Sequence, residues 1–251
     1  MNTQDHILVS RTGASQIIRL NNPVKKNAIT RAMYKSMTDA LMGGEQNDDV
    51  RVHVLLGTQG AFSSGNDLHD FMAFAATGEM GTEVFDFLNT IATARKPLVS
   101  GVDGLAIGIG TTIHMHCDLT YATPQSRFKT PFVDLGLVPE AASSLLAPAI
   151  MGHQRAYALL AMGETFTAAE AVAAGLIYKV VDHTELEEKV MEAAANLGAR
   201  PPQALAHAKR LMKSTPDAIA ERIAVEGQLF ADRLKTPEAQ AAFMAFMTRK
   251  K

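Results

Sequence analysis

Residues 96–118 read KPLVSGVDGLAIGIGTTIHMHCD, and the fold prediction depends on the pattern within them. The apolar run Leu98–Val102 is typical of a short buried strand. Glycines at positions 104, 108 and 110 then interrupt the chain, and the apolar run that follows predicts a helix ending near His116. Residues 119–122 return as another strand. Strands that alternate with glycine-rich turns and helices predict an α/β core.

The sequence before this stretch continues the same alternation. Alternating apolar residues around the turn 12–15 predict a hairpin over residues 7–20. Thr30 is placed to cap an amphipathic helix that runs from Arg31 to about Glu45. A strand and a helix are also predicted, over residues 50–56 and around residues 82–93.

After residue 155 the pattern becomes mostly helical. Residues 167–170 and 184–187 have the spacing of capping boxes, which mark helix starts. Threonine–proline pairs at 215–216 and 236–237 place a proline in the first turn of two further helices. A strand is predicted between the boxes, over 177–181. We therefore predict an α/β core over residues 1–199 and a helical region over residues 200–251.

Charge and cysteine content narrow the possible functions. The formal net charge is −2, so the chain lacks the basic excess that nucleic-acid binding requires. Cys117 is the sole cysteine, which excludes an intramolecular disulfide and favours a reducing, cytoplasmic setting. The most apolar windows are broken by glycine and aspartate, and residues 1–10 lack a signal-peptide layout. We therefore expect neither nucleic acid nor a membrane as a partner.

Three segments occur in a characteristic order. Residues 61–68 read AFSSGNDL, residues 96–108 read KPLVSGVDGLAIG, and residues 131–140 read PFVDLGLVPE. In this order they resemble the crotonase (enoyl-CoA hydratase/isomerase) superfamily, and the resemblance extends from about residue 7 to residue 181. It implies an α/β fold of the ClpP/crotonase type, a spiral of ββα units with a C-terminal helical region.

The resemblance also implies the ligand and the assembly. Crotonase-type proteins act on acyl-CoA thioesters, so coenzyme A is part of the substrate and no separate cofactor or metal is expected. They usually form trimers, and the trimers often pair, so we expect a homotrimer or a dimer of trimers in which the helical tail makes trimer contacts. By resemblance, the backbone N–H groups of Asn66 and Ile109 stabilise the thioester oxygen as it becomes an enolate oxyanion.

Glutamate positions distinguish among reactions within this superfamily. The two places that hold glutamates in the hydratases contain Thr112 and Phe132 here, and neither side chain can exchange a proton with water or carbon. Glu140, after the run LGLVP, instead resembles the single glutamate of Δ3,Δ2-enoyl-CoA isomerases of the peroxisomal type. One base suffices for a 1,3-proton shift. Burial among apolar neighbours such as Leu137 is expected to raise its pKa toward the working pH.

Further binding residues are carried over from the same resemblance. Lys25 and Lys26 are candidates for the CoA phosphates, and Phe246 and Arg249 resemble tail residues that reach the adenine of a neighbouring subunit's CoA. The remaining candidates for substrate binding are Ser64, Gly65, Asp67, Leu68, Gly108, Phe132 and Leu135. The phenylalanines and methionines over 62–87 either wall an acyl pocket or belong to the core.

Other functions remain open at this point. The same enolate chemistry also serves enoyl-CoA hydratases and isomerases of ring-containing acyl-CoA esters, some of which carry an acid at the place of Glu140. The loss of both hydratase glutamates is also consistent with a non-catalytic acyl-CoA-binding scaffold. His114 and His116 point apart on a helix, and the usual zinc spacings are absent, so we expect no metal site.

Overall fold

The computed structural model describes residues 6–67, 69–70, 81–213 and 215–248. Within these ranges the strands are β1 Ile7–Thr12, β2 Ser15–Leu20, β3 Val52–Leu56, β4 Ala61–Ser63, β5 Leu98–Val102, β6 Leu105–Ile107, β7 Leu119–Ala122, β8 Arg127–Lys129, β9 Phe166–Thr167 and β10 Lys179–Val180. The helices are α1 Arg31–Gln46, α2 Glu83–Thr93, α3 Ile109–Thr112, α4 Ser143–Met151, α5 His153–Leu160, α6 Ala168–Ala173, α7 Leu186–Gly198, α8 Pro202–Met212, α9 Pro216–Leu234 and α10 Pro237–Thr248.

Two sheets form the core, and the chain contributes to them alternately. The larger has the order β1-β2-β3-β5-β7-β10, and the smaller has the order β4-β6-β8-β9. Each of the pairs β3–β4, β5–β6 and β7–β8 supplies one strand to each sheet. Within both sheets the strands of successive pairs are parallel to one another. This repeating arrangement is the predicted spiral of ββα units, and it confirms the α/β prediction.

Several local predictions are confirmed. β1 and β2 form an antiparallel hairpin, and Gly13 in its turn has a φ of +57°. The Thr30 hydroxyl accepts a hydrogen bond from the N–H of Met33 at 3.3 Å, which caps α1 as expected. The capping box at Thr167 is also present, because Thr167 and Glu170 bond reciprocally.

Other local predictions were wrong or incomplete. Thr184 does not open a capping box. The N–H and the hydroxyl of Thr184 both donate to the Asp182 carboxylate, at 2.9 and 2.7 Å. The Thr184 hydroxyl therefore serves as a donor, and α7 starts at Leu186 without a side-chain cap. The strand predicted over 177–181 is reduced to β10. Strands β4, β6, β8 and β9 were not predicted individually, because segments of two or three residues carry no periodic signal.

The C-terminal helices pack back onto the core. α9 packs against α2 and α4, and α10 contacts the 3₁₀ turn Val133–Leu135. Arg233 of α9 donates from Nε to the carbonyl of Gly136 at 2.8 Å, which attaches the helical region to the loop after that turn. The division at residue 199 remains a prediction. Of the helices within the described residues, none is long and apolar enough to cross a membrane.

Candidate active site

The loop Ser63–Asp67 is held by backbone contacts on both sides. The Ile29 N–H donates to the carbonyl of Gly65 at 2.8 Å, and the Asp67 N–H donates to the carbonyl of Ile29 at 2.9 Å. The Ser63 hydroxyl donates to the Asn27 carbonyl at 2.8 Å. These bonds fix the backbone on either side of Asn66, and no other described residue accepts a hydrogen bond from the Asn66 N–H. That N–H is therefore available to a ligand.

Gly65 has a conformation that other residues rarely adopt. Its φ is +95°, and a Cβ added there would lie 3.0 Å from the carbonyl oxygen of Ile107. A side chain would therefore be strained by its backbone angles and would also contact the neighbouring chain too closely. Glycine lets this loop approach β6 and turn the Asn66 N–H outward.

The second N–H comes from the start of α3. Gly108, with φ +57°, precedes the helix, and its own N–H donates to the Lys129 carbonyl at 2.8 Å. Ile109 is the first residue of α3, and the first N–H groups of a helix have no partner within it. The helix start thus presents the Ile109 N–H beside the loop that presents the Asn66 N–H.

A cleft of about 290 Å³ lies in front of these donors. Its walls contain ten of the sequence-predicted residues: Lys25, Ser64, Gly65, Asn66, Asp67, Gly108, Ile109, Phe132, Leu135 and Phe246. Phe246 reaches the cleft of its own chain from α10, although the resemblance associates the tail with a neighbouring subunit. Leu68 and Arg249 lie outside the described residues. The remaining lining residues include two that the sequence analysis did not single out, His69 and Phe230.

Lys26 has a different place from Lys25. Its side chain is exposed and does not line the cleft, and its carbonyl accepts the Ser64 N–H at 2.9 Å. Lys26 thus supports the loop through its backbone.

Charged groups gather at the mouth of the cleft. The ammonium of Lys25 lies 2.9 Å from Oδ2 of Asp67, and Nδ1 of His69 lies 3.0 Å from Oδ1 of the same carboxylate. Burial alone would raise the pKa of Asp67, but the hydrogen bonds from Lys25 and His69 outweigh it and lower that pKa. Asp67 therefore stays ionised and holds the side chains of Lys25 and His69 near the entrance, where phosphates could bind the Lys25 ammonium.

Glu140 lies deeper than the cleft walls. It is only 8% exposed, and its Oε1 accepts a 2.6 Å hydrogen bond from the Thr112 hydroxyl. Burial raises the pKa of Glu140 to about 8, against the lowering effect of the Thr112 bond and with a further contribution from Glu226. Thr112 is three residues after Ile109 in α3, roughly 4.5 Å along the helix axis. The carboxyl is therefore hydrogen-bonded to the same short helix that presents the Ile109 donor.

Tyr34 connects the loop with this carboxyl. Its hydroxyl donates to Oδ1 of Asn66, and its pKa is raised well above the usual value by burial and by the nearby charge of Glu140. Sequence reasoning missed Tyr34 because it sits on the buried face of α1, beside Met33, Met37 and Leu41, where an aromatic residue looks like ordinary core.

The aromatic residues at the ends of 62–87 belong to the core. Phe62 and Phe87 are fully buried and do not line the cleft. Burial raises the pKa of Cys117 to about 11, which disfavours the reactive thiolate form. A larger hollow of about 590 Å³ lies beside Cys117 and α8. Asn66 and Ile109 line the smaller cleft and not this hollow, whereas Glu140 lines neither. We therefore assign the candidate active site to the smaller cleft.

Comparison with known proteins identifies the family of the chain. The sequence pattern that defines the enoyl-CoA hydratase/isomerase family matches residues 12–251. The chain belongs to this family. Family membership confirms the resemblance to the crotonase superfamily.

Individual relatives in the family include isomerases and hydratases. Enoyl-CoA delta isomerase 2 of Rattus norvegicus is 34% identical over 97% of the chain, and the chain spans 64% of that protein's length. Peroxisomal enoyl-CoA delta isomerase 3 of Mus musculus is 32% identical over 99% of the chain and 80% of its own length. Among solved structures, OdaA of Pseudomonas aeruginosa is 38% identical, covers 97% of this chain and 99% of its own, and superposes with a TM-score of 0.92. Probable enoyl-CoA hydratases of bacteria also match, at 26 to 28% identity.

Proposed function

We propose that this chain converts a 3-enoyl-CoA into a trans-2-enoyl-CoA, with Glu140 as the single base. The observation that carries the proposal is one buried carboxyl beside the helix that presents the Ile109 N–H. The curated relatives named enoyl-CoA delta isomerases support the same assignment.

The reaction needs two proton transfers, one from the substrate to Glu140 and one from Glu140 back to the substrate. The Glu140 carboxylate takes a proton from C2, and the electrons of that C–H bond move toward the thioester oxygen. The N–H groups of Asn66 and Ile109 stabilise the resulting oxyanion, a contribution worth roughly 10²–10³ in rate per donor in other enzymes. Glu140 then returns the proton to C4, which leaves the double bond between C2 and C3. No water is consumed.

The pKa of Glu140 suits this role. A base must be ionised to accept a proton, and it returns the proton most readily when its pKa is near the working pH. With a pKa of about 8, roughly a tenth of the Glu140 side chains are ionised at pH 7. Burial therefore makes the Glu140 carboxylate a stronger base, and about a tenth of it remains ionised at pH 7 to accept a proton.

Hydration with two carboxylates is disfavoured by the residues at the site. The places of the hydratase glutamates, inferred by resemblance, hold Thr112 and Phe132. Thr112 uses its hydroxyl to bind Glu140, and Phe132 is an apolar wall of the cleft. Neither can activate a water molecule.

The remaining parts of the proposal concern substrate, assembly and setting. Lys25 and His69 would meet the phosphates of CoA, while Phe132, Leu135 and Phe246 would contact the rest of the ligand. We further propose a homotrimer or a dimer of trimers and a cytoplasmic setting, the latter because Cys117 is the sole cysteine and cannot form an intramolecular disulfide.

The decisive experiment is an assay with 3-hexenoyl-CoA that follows the absorbance of the conjugated 2-enoyl thioester, beside a hydration assay with crotonyl-CoA. We expect isomerisation in the wild type, a loss of about 10²–10⁴-fold in Glu140→Gln, and little hydration. Glu164→Gln, at an exposed position, is the matched control and should retain activity. Full isomerisation by Glu140→Gln, or fast hydration by the wild type, would contradict the proposal. Inactivity in both assays would favour a different substrate or an acyl-CoA-binding scaffold.

A further inference from the structure

Helix α9 carries a buried carboxyl that the proposed reaction does not use. Glu226 is only 4% exposed and occupies the same face of the helix as Ile223 and Phe230. Its Oε1 accepts the N–H of Ser144 at 2.9 Å, and its Oε2 has no hydrogen-bond partner among the described residues. A carboxyl in such an apolar position is costly to bury, so its contacts are informative.

Glu226 binds the segment that carries Glu140. This base segment comprises residues 140–144, and two of them, Ala141 and Ala142, have φ values of +60° and +55°. Such left-handed angles are uncommon outside glycine and persist where surrounding contacts enforce them. Glu226 supplies one of those contacts from a helix that is distant in sequence.

Two further side chains hold the same segment. Nε2 of His116 lies 2.8 Å from the carbonyl of Ala141, so this nitrogen carries the proton and donates. Arg222 donates from Nη1 to the hydroxyl of Ser144 at 3.0 Å. The backbone around Glu140 is thus fixed on one side by α9 and on the other by His116, which follows the 3₁₀ turn Ile113–Met115.

The two carboxyls have unequal surroundings. Glu226 accepts a backbone N–H at the start of α4, where the helix dipole favours negative charge, and Arg222 is one turn away in α9. Among the described residues, the Glu140 carboxyl receives a hydrogen bond only from the neutral hydroxyl of Thr112. Burial raises the pKa of Glu226 as well, but the bonds from Ser144 and the charge of Arg222 oppose that rise. Glu226 is therefore the better site for a negative charge, and that charge disfavours ionisation of the neighbouring Glu140. In agreement, Glu226 adds to burial in raising the pKa of Glu140.

The other titratable groups around the base segment do not change charge near neutral pH. Tyr34 stays protonated because burial raises its pKa, and burial lowers the pKa of His116 to about 4, so its ring is neutral. Among the described residues at this place, Glu226 is the group whose charge can alter Glu140.

We propose that Glu226 is a positioning residue for Glu140. It anchors the base segment at Ser144, and its negative charge favours the protonated form of Glu140. This inference rests on the proposed role of Glu140 as the base.

The first test compares Glu226→Gln with Glu221→Gln, a matched substitution at an exposed position of the same helix. The pH dependence of kcat and kcat/KM with 3-hexenoyl-CoA would be measured for both variants and the wild type. For Glu226→Gln we expect a lower kcat and a rising limb that moves about one unit toward acid, because a like charge is removed. Glu221→Gln should keep the wild-type profile. An unchanged limb in Glu226→Gln would overturn the proposal.

A second measurement needs neither activity nor a stable Glu226 variant. Infrared difference spectra of wild type minus Glu140→Gln report the protonated Glu140 carboxyl as a function of pH. We expect Glu140 to lose its proton at higher pH than Glu226, which is identified by its remaining signal in Glu140→Gln. The reverse order would overturn the inference. If the wild type were inactive on enoyl-CoA while this order held, the isomerase proposal would fail and the coupling of the two carboxyls would stand.

Discussion

The hydroxyl of Thr112 donates a 2.6 Å hydrogen bond to Oε1 of Glu140, and both residues are buried. Thr112 belongs to the same short helix as Ile109, so one element presents an oxyanion donor and orients the base. By resemblance, the position of Thr112 holds a glutamate in hydratases. In this chain that position instead contributes a donor that stabilises the ionised form of another glutamate.

Replacing Thr112 by valine is expected to shift the pH dependence of isomerisation. A hydrogen bond to a charged group contributes about 1.5–3 kcal/mol, and one pKa unit corresponds to about 1.4 kcal/mol. Without the bond the pKa of Glu140 should rise by about one unit, so activity at pH 7 should fall about tenfold. Steady-state assays across pH test this. Thr112→Ser, which keeps the hydroxyl, is the control, and an unshifted profile in Thr112→Val would contradict the prediction.

Glu140→Gln is expected to stabilise the protein at alkaline pH. The folded-state pKa of Glu140, about 8, lies above its ordinary value of 4.5. Its stabilising effect is therefore fully present below about pH 4.5 and is lost as the pH rises to about 8, at about 1.4 kcal/mol for each unit. Glutamine does not titrate, so the variant keeps its stability over this range.

Thermal unfolding at pH 5 and pH 9 measures the difference. Glu140→Gln should have a Tm close to that of the wild type at pH 5 and a higher Tm at pH 9. Glu164→Gln should follow the wild type at both values. Equal Tm differences at the two pH values would mean that the pKa of Glu140 is not raised.

Tyr34→Phe is expected to weaken the oxyanion loop. The change removes the hydroxyl that donates to Oδ1 of the half-buried Asn66, and loss of such a hydrogen bond costs about 0.5–1.5 kcal/mol. A looser Asn66 would lower kcat more than it raises KM, because the oxyanion forms only during the reaction. Kinetics and thermal unfolding of the variant would be compared with Tyr157→Phe, at an exposed tyrosine. Wild-type kcat in Tyr34→Phe would argue against this role.

A pair of glycine substitutions separates a strained position from a permissive one. Gly65→Ala should lower both stability and activity, because φ is +95° and the new Cβ would lie 3.0 Å from the Ile107 carbonyl. Gly43 lies within α1 with nothing within 4 Å of its added Cβ, so Gly43→Ala should stabilise the protein by up to about 1 kcal/mol. Unfolding measurements on both variants test the contrast, and equal effects would refute it.

The sequence predicted much of the fold because its strongest signals are local. The hairpin β1–β2, the Thr30 cap and the strand β5 follow from residues close together in the chain. The capping box predicted at Thr184 does not form, because the Asp182 carboxylate accepts the N–H and the hydroxyl of Thr184 instead. The short strands β4, β6, β8 and β9 were inaccessible to periodicity, since they form only when neighbouring strands supply their partners.

For the candidate site, the sequence indicated the two N–H donors, most of the cleft-lining residues and Glu140, because these lie in short motifs shared across a family. One available signal was overlooked: Glu226 occupies a core-facing position among Ile219, Ile223 and Phe230, where an acid is unusual. Its spacing alone could not say which group it meets.

By itself, the sequence determined the family, the glycine-dependent turns and the residues absent from the hydratase positions. Only the tertiary structure decided how those pieces act on one another. It brought Glu226 to Ser144 across 82 residues, Tyr34 to Asn66, and Phe246 into the cleft of its own chain. The reason is physical: glycine conformations and helix caps depend on local backbone energetics, whereas burial and charge coupling depend on which distant groups fill the same low-dielectric space.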